Sequence, residues 1–328
     1  MAGRLLARGL ALSVAGAAAC AEPSACAPVA LASSARTVHY PTAVLLHGLD
    51  SSRETWRGTL GRLAERGVPA LALDLRGHGE SALGDAREFS AEALANDVLA
   101  SIRSHGVKRA VLVGHSMGGR VAVRAAAIDE RAERPLLCAL VIEDMDMRER
   151  APVSPPSTDA ARAALARFAE PRGRFFHSWD ECKAALLPFY EPARIDGWRG
   201  TRVRERAGGW WSDINPHAQL LARERVLASS DGTAAWAELG ARAGRAGEPG
   251  GGAPPLAVHV WHADEAVSAC QHGGAGGLDE MRRVLPSART RAFAGATHSI
   301  HGSAETEFVR ALCALVDEAG GEFVAGTT

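Results

Sequence analysis

The chain has 328 residues, a mass of 34.3 kDa and 47% hydrophobic residues, enough for one enzyme-sized core and a smaller second unit. A formal net charge of −1 and a pI near 6.9 exclude a nucleic-acid or anionic-membrane partner held by bulk electrostatics. The six cysteines show no C-x-x-C and no metal-ligand spacing, so no cysteine-held metal is expected.

Arg4 and Arg8 lead into a small, apolar run over residues 10–21, and Glu22 is the only acid before Asp50. This is the pattern of a targeting presequence over residues 1–35. The run is too short to span a bilayer, which takes about 20 residues, so no transmembrane anchor is expected here. Its arginine-rich, acid-poor character fits import into a mitochondrion or plastid. Ala19-Cys20-Ala21 has the form of a signal-peptidase site and keeps a secretory route as the alternative. Residues 29–40 also read as a first hairpin of a sheet, in which case the presequence ends before Val29.

Ala43-Val44-Leu45-Leu46 is a short apolar strand ending in His47-Gly48-Leu49-Asp50. A turn in that place can hold a developing oxyanion on a backbone N–H, which Leu49 would supply with His47 and Gly48 in support. Residues 56–66 fit a helix, and 70–74 a second buried strand that runs into Asp74-Leu75-Arg76-Gly77-His78-Gly79-Glu80-Ser81. Asp74 and Arg76 are expected to pair or to bond backbone, bracing the wall of a site rather than reacting. Ser90 is placed to cap a helix whose Leu94, Val98 and Ile102 form one stripe, with Phe89 and Leu94 spaced as a hydrophobic staple. Strand, helix and strand at this spacing give right-handed crossovers and a mostly parallel sheet.

The run Val111-Leu112-Val113-Gly114-His115-Ser116-Met117-Gly118-Gly119 carries an apolar strand through G-x-S-x-G into a helix. It reads as a nucleophile elbow. Gly114 and Gly118 flank Ser116 where a side chain would strike neighbouring backbone, and His115 sits between strand and nucleophile. The helix after it directs its N-terminal N–H groups at the serine, with Met117 as the second oxyanion donor.

Residues 137–143 form the next buried strand, ending at Asp144. From residue 148 to 249 strand-like runs vanish, alanine-rich helical stretches appear, and ten of the chain's seventeen aromatics collect. A helical cap is expected there. Arg199, Arg202, Arg204 and Arg206 read as a solvated face, with contact to an anionic substrate as the alternative. Residues 241–255, rich in Gly, Ala and Pro, read as a hinge back to the core. Core structure resumes at 256–261, followed by Asp264, a short helix from residue 278 and a last strand at 290–294. His298 follows in a small-residue loop, where it can deprotonate Ser116 and then protonate a leaving group. A closing helix spans 305–318, with Phe308, Leu312 and Val316 on one face.

His47-Gly48, the 74–81 loop, Gly114-to-Gly119 and Gly295-Ala296-Thr297-His298-Ser299-Ile300-His301 together resemble the α/β-hydrolase superfamily over residues 37–328, and within it the small esterase/thioesterase (abhydrolase-domain) branch. The resemblance implies an α/β fold with eight strands, mostly parallel and flanked by helices, with the core at 36–147 and 250–328 and the cap inserted at 148–249. It implies hydrolysis of a small or medium acyl ester or thioester through an acyl-enzyme, with no metal and no cofactor. In many members the acid of the triad follows the seventh strand, where Asp264 fits imperfectly; in the esterase branch it can follow the sixth, where Asp144 stands. Asp144 is favoured and Asp264 kept as the alternative. C–C bond hydrolysis or lyase chemistry on the same fold, and a weakly active or inactive ligand-binding protein, are the other readings. Epoxide hydrolases and dehalogenases attack with a carboxylate at the elbow, which Ser116 does not provide.

Overall fold

Strands covered on both faces need continuous apolar runs rather than alternating ones, and four such runs make the centre of this molecule. The computed structural model describes residues 28–29, 40–152, 158–169, 171–245, 256–263, 268 and 277–325. The stretch expected to be a presequence lies outside these apart from residues 28–29, as does Asp264. Strands β1 (Pro28–Val29), β2 (Thr42–Leu46), β3 (Ala70–Leu73), β4 (Ala110–His115) and β5 (Leu137–Glu143) are followed, after the insertion, by β9 (Ala257–His262) and β10 (Arg289–Ala292). They form one sheet in the order β1-β3-β2-β4-β5-β9-β10, parallel throughout except for β1 against β3. The described residues thus supply seven strands where the resemblance implied eight.

Side chains alternate across each strand and feed two separate cores. Val44 and Leu46 of β2, with Leu112 and Ile142, pack on one side against Leu94, Val98 and Ile102 of α2 (Ala91–Ser104) and Val121 of α3 (Met117–Asp129). Ala43 and Leu45, with Val113 and Val141, pack on the other against Leu63 of α1 (Arg57–Glu65) and Phe308, Leu312 and Val316 of α11 (Glu305–Ala325), the helix that follows α9 (Gly277–Val284) and the short α10 (Ile300–Ser303). The Ser90 hydroxyl accepts the Ala93 N–H at 3.1 Å, so α2 begins where its cap residue says it should.

The insertion is not purely helical. Besides α4 (Asp159–Ala169), α5 (Trp179–Leu186), α6 (Pro192–Gly197), α7 (Pro216–Ala222) and α8 (Asp231–Arg245), it holds an antiparallel sheet of β6 (Phe175–Phe176), β7 (Val203–Arg206) and β8 (Gly209–Ser212) in the order β6-β8-β7. Phe176, Tyr190 and Trp198 build a core of the insertion's own. Leu221, Val226 and Trp236 instead join the main core, and the Trp236 indole N–H donates to the Met281 carbonyl at 3.1 Å. The expected hinge is also shorter, because residues 241–245 are the last turns of α8.

The arginines are a solvated face only in part: Arg199 and Arg206 are exposed and Arg202 and Arg204 half-buried, yet all four have partners. Arg204 Nη2 reaches both oxygens of buried Asp213 at 3.0 and 2.9 Å, Arg206 pairs with Glu80 at 2.5 Å, and Arg202 donates to the Asp50 carbonyl. Arg199 lies over the Trp179 and Trp210 rings at 5.2 and 5.3 Å. Their charge fastens the insertion internally and to the core. No helix among the described residues is long and apolar enough to cross a membrane.

Candidate active site

The elbow turns so sharply that Ser116 takes φ 53° and ψ −122°, a backbone conformation L-residues rarely adopt. Crowding demands the two glycines. A methyl carbon on Gly114 would lie 2.3 Å from the Gly118 carbonyl oxygen, and one on Gly118 2.5 Å from that of His47. The Ser116 N–H is anchored on the Glu143 carbonyl at the end of β5, at 2.9 Å.

Three strand ends meet at this serine. His298, in the loop after β10, places Nε2 3.0 Å from Ser116 Oγ and Nδ1 2.6 Å from Asp144 Oδ2. Asp144 is fully buried; its other oxygen accepts the Ala263 N–H at 3.0 Å and the Ser268 hydroxyl at 2.6 Å, and its own N–H donates to the Trp261 carbonyl at 2.7 Å. With Nδ1–H donating to the carboxylate, the lone pair of Nε2 is left to accept the serine proton. The alternative acid, Asp264, lies outside the described residues.

The turn after β2 lies against the elbow, since a methyl carbon on Gly48 would be 3.1 Å from Ser116 Cβ. His47 braces that turn from within the core: its Nδ1–H donates to the Gly48 carbonyl at 2.8 Å and its Nε2 accepts the Leu75 N–H at 3.0 Å. Burial, reinforced by His78 with rings 5.2 Å apart, holds the His47 imidazole well below its ordinary pKa, so it is neutral and its tautomer is set. The backbone N–H groups of Leu49 and Met117 have no acceptor among the described residues. In the 74–81 loop, Asp74 and Arg76 bind other partners than each other: Asp74 takes the Arg53 and Glu80 N–H groups at 2.7 and 2.8 Å, and Arg76 grips Asp97 at 2.8 and 3.0 Å.

Behind these residues lies a buried layer. His115 Nε2–H donates to the His298 carbonyl at 2.9 Å, steadying the loop that carries that imidazole. Glu143 Oε1 accepts the His301 N–H at 2.9 Å and its Nδ1–H at 2.8 Å, while His301 Nε2 meets Thr55 Oγ1 at 2.9 Å. Burial opposes the charge on Glu143, but the adjoining imidazoles of His301 and His115 outweigh it and hold its carboxyl below the usual range. His115, Glu143 and His301 offer ligand atoms within 4.8 Å of one another. Both His301 nitrogens and Nε2 of His115 are already spent on hydrogen bonds, so a cation there would have to dismantle the brace. Glu143 and His301 escaped the reading of the sequence. The signal lay in an acid closing an otherwise apolar strand and a histidine one helical turn after His298.

Burial pushes His115 down to about 4, against 6.5 in an open chain. Unfolding between those pH values takes up a proton, so the stability held by neutral His115 is complete above pH 6.5 and drains away as pH falls toward 4. His115→Gln keeps an N–H donor and cannot titrate. Chemical denaturation should show the wild-type advantage over this variant shrinking by about 3 kcal/mol from pH 7 to pH 4.

The profile of the Alpha/beta hydrolase family matches residues 43–311, from the first long strand into the last helix. The chain belongs to that family. Among relatives of this α/β-hydrolase, Epoxide hydrolase A of Mycobacterium tuberculosis is 31% identical over 193 residues, 57% of this chain and 52% of the relative. The 2-succinyl-6-hydroxy-2,4-cyclohexadiene-1-carboxylate synthase of Serratia proteamaculans is 37% identical over 90 residues, 27% of this chain and 34% of the relative. The chain therefore spans about half or less of the length of these relatives. A marine microorganism esterase shares the fold at a TM-score of 0.56 and 18% identity, over 83% of this chain and 94% of the other. The α/β-hydrolase fold is thus common to esterase and non-esterase neighbours, and the chemistry rests on the residues at the strand ends.

Proposed function

We propose that this α/β-hydrolase is a serine hydrolase that cleaves a small or medium acyl ester or thioester. The observation that carries the reading is the relay from Asp144 Oδ2 to His298 Nδ1 at 2.6 Å and from His298 Nε2 to Ser116 Oγ at 3.0 Å. His298 removes the Ser116 proton as Oγ attacks the acyl carbon, and Asp144 stabilises the imidazolium that forms. The tetrahedral oxyanion is taken by the free N–H groups of Leu49 and Met117, each worth about 3 kcal/mol in the transition state. His298 then returns its proton to the departing alcohol or thiol, and water repeats the sequence to release the acid. A serine at position 116 suits acyl transfer better than opening an epoxide, which uses a carboxylate nucleophile.

The match to the Serratia synthase favours one second reading, C–C bond cleavage or elimination with His298 as the base. Product analysis separates the two. The test of the leading reading pairs labelling by a fluorophosphonate with turnover of p-nitrophenyl acetate, butyrate and octanoate. Both should be lost in Ser116→Ala, and the preferred chain length measures the acyl pocket. Absent labelling of the folded wild-type protein, or turnover that survives in Ser116→Ala, would overturn it.

A further inference from the structure

Asp50 follows Leu49 directly and sits at φ 52°, a left-handed conformation that glycine adopts freely and most other residues only at a cost. A turn that needed only this geometry would be served best by glycine, so the side chain calls for its own explanation. The Asp50 carboxylate is gripped from the insertion: Oδ1 accepts the Tyr190 hydroxyl at 3.1 Å, and Oδ2 accepts Arg194 Nη2 at 3.0 Å and Gln219 Nε2 at 2.9 Å. Its carbonyl accepts from Arg202. Four positions of the insertion, spread over thirty residues of chain, thus converge on one residue of the core. Two residues further on, the Ser52 hydroxyl donates to Asp213 of the insertion at 2.9 Å.

We propose that Asp50 is a positioning residue, a clasp through which the seating of the cap sets the direction of the neighbouring Leu49 N–H. This rests on the reading of Leu49 as an oxyanion donor. With the cap seated, Asp50 and the Leu49–Asp50 peptide are held from one side while His47 holds the Gly48 carbonyl from the other, and the Leu49 N–H between them is fixed toward the elbow. With the clasp open, only the His47 Nδ1–H on the Gly48 carbonyl still restrains the peptide that carries the Leu49 N–H, so the donor loses its precise aim, and ground-state binding survives while transition-state stabilisation is weakened. Acyl-enzyme formation is thereby tied to a closed cap.

The decisive variant is Asp50→Gly, which suits the left-handed backbone and removes the three contacts to the carboxylate while leaving Arg202 on the backbone carbonyl. It should lower kcat about 100-fold for p-nitrophenyl butyrate while KM stays within about threefold, the pattern of a lost transition-state contact. Tyr190→Phe combined with Gln219→Ala leaves Asp50 in place and removes two of its donors, and should lower kcat in the same direction by about tenfold. Hydrogen exchange of Asp50→Gly should rise together at residues 48–52 and 190–202. Wild-type kcat in Asp50→Gly, or exchange that rises at 48–52 alone, overturns the proposal. Exchange remains decisive if the protein hydrolyses no ester: a coupled rise then supports the clasp, while the missing turnover counts against the ester reading alone.

Discussion

Asp144→Asn should fold with a melting temperature within a few degrees of wild type and lose about four orders of magnitude in kcat for an acyl ester. Asparagine tolerates the left-handed φ of 48° at this position, and its volume matches that of aspartate. Its amide orientation is forced by the neighbours. The oxygen at the Oδ1 place must remain there, because the Ala263 N–H and the Ser268 hydroxyl both donate to it. The amide NH2 then faces His298 Nδ1, where the carboxylate oxygen stood 2.6 Å away. A donor there obliges Nδ1 to be the acceptor and puts the ring proton on Nε2, toward Ser116 Oγ. The imidazole then holds the tautomer that cannot take the serine proton, and the imidazolium has lost its counter-charge. Asp264→Asn is the control and should stay within about threefold of wild type. If the two variants exchange behaviour, Asp264 is the acid of the triad.

Much of this site was legible because each part depends on a local rule. Gly114 and Gly118 read as obligatory from the pentapeptide with its strand before and helix after, and the 2.3 and 2.5 Å at which a methyl carbon on them would meet backbone oxygens explain why. Ser90 read as a cap because its hydroxyl serves backbone three residues away. His298 could be placed by its loop, yet the identity of its acid could not, since that depends on how two strand ends meet in space. The insertion was the hardest part. Arg202, Arg204 and Arg206 recur at every second residue, which is strand spacing, and the Gly208-Gly209 pair with Gly208 at φ 84° marks the turn between β7 and β8. Reading them as a charge cluster concealed both the strand and its partners: Asp213, nine residues on beyond the hairpin turn, and Glu80, far away in sequence and across the cap boundary. Asp50 escaped for the same reason: nothing near it in the chain indicates that Tyr190, Arg194 and Gln219 come to meet it.

The second large effect should come from Glu143→Ala, which makes no contact with substrate. Glu143 is fully buried, and its Oε1 is the acceptor for both the N–H and the Nδ1–H of His301. Truncation strands two donors in a site that water would have to enter to satisfy, a loss of about 3–5 kcal/mol, or about 5 °C in melting temperature for a chain of this size. Glu143→Gln retains an acceptor oxygen and should lose only about 1–2 kcal/mol. The pair of variants also separates charge from shape. Because the carboxyl is held below its ordinary value of 4.5, its contribution is present above that pH and is lost as pH falls through the lower folded-state value; the wild-type advantage over Glu143→Gln should therefore vanish in acid and stay flat from pH 5 to 8. Activity should fall with stability in Glu143→Ala, since His301 lies one helical turn beyond His298 and also bonds Thr55, just after the turn that carries Leu49. The backbone anchor from the Ser116 N–H to the Glu143 carbonyl survives the substitution, so the serine itself should still label with a fluorophosphonate, only more slowly. Slow labelling with an unchanged stoichiometry would place the damage in the imidazole's position rather than in the nucleophile.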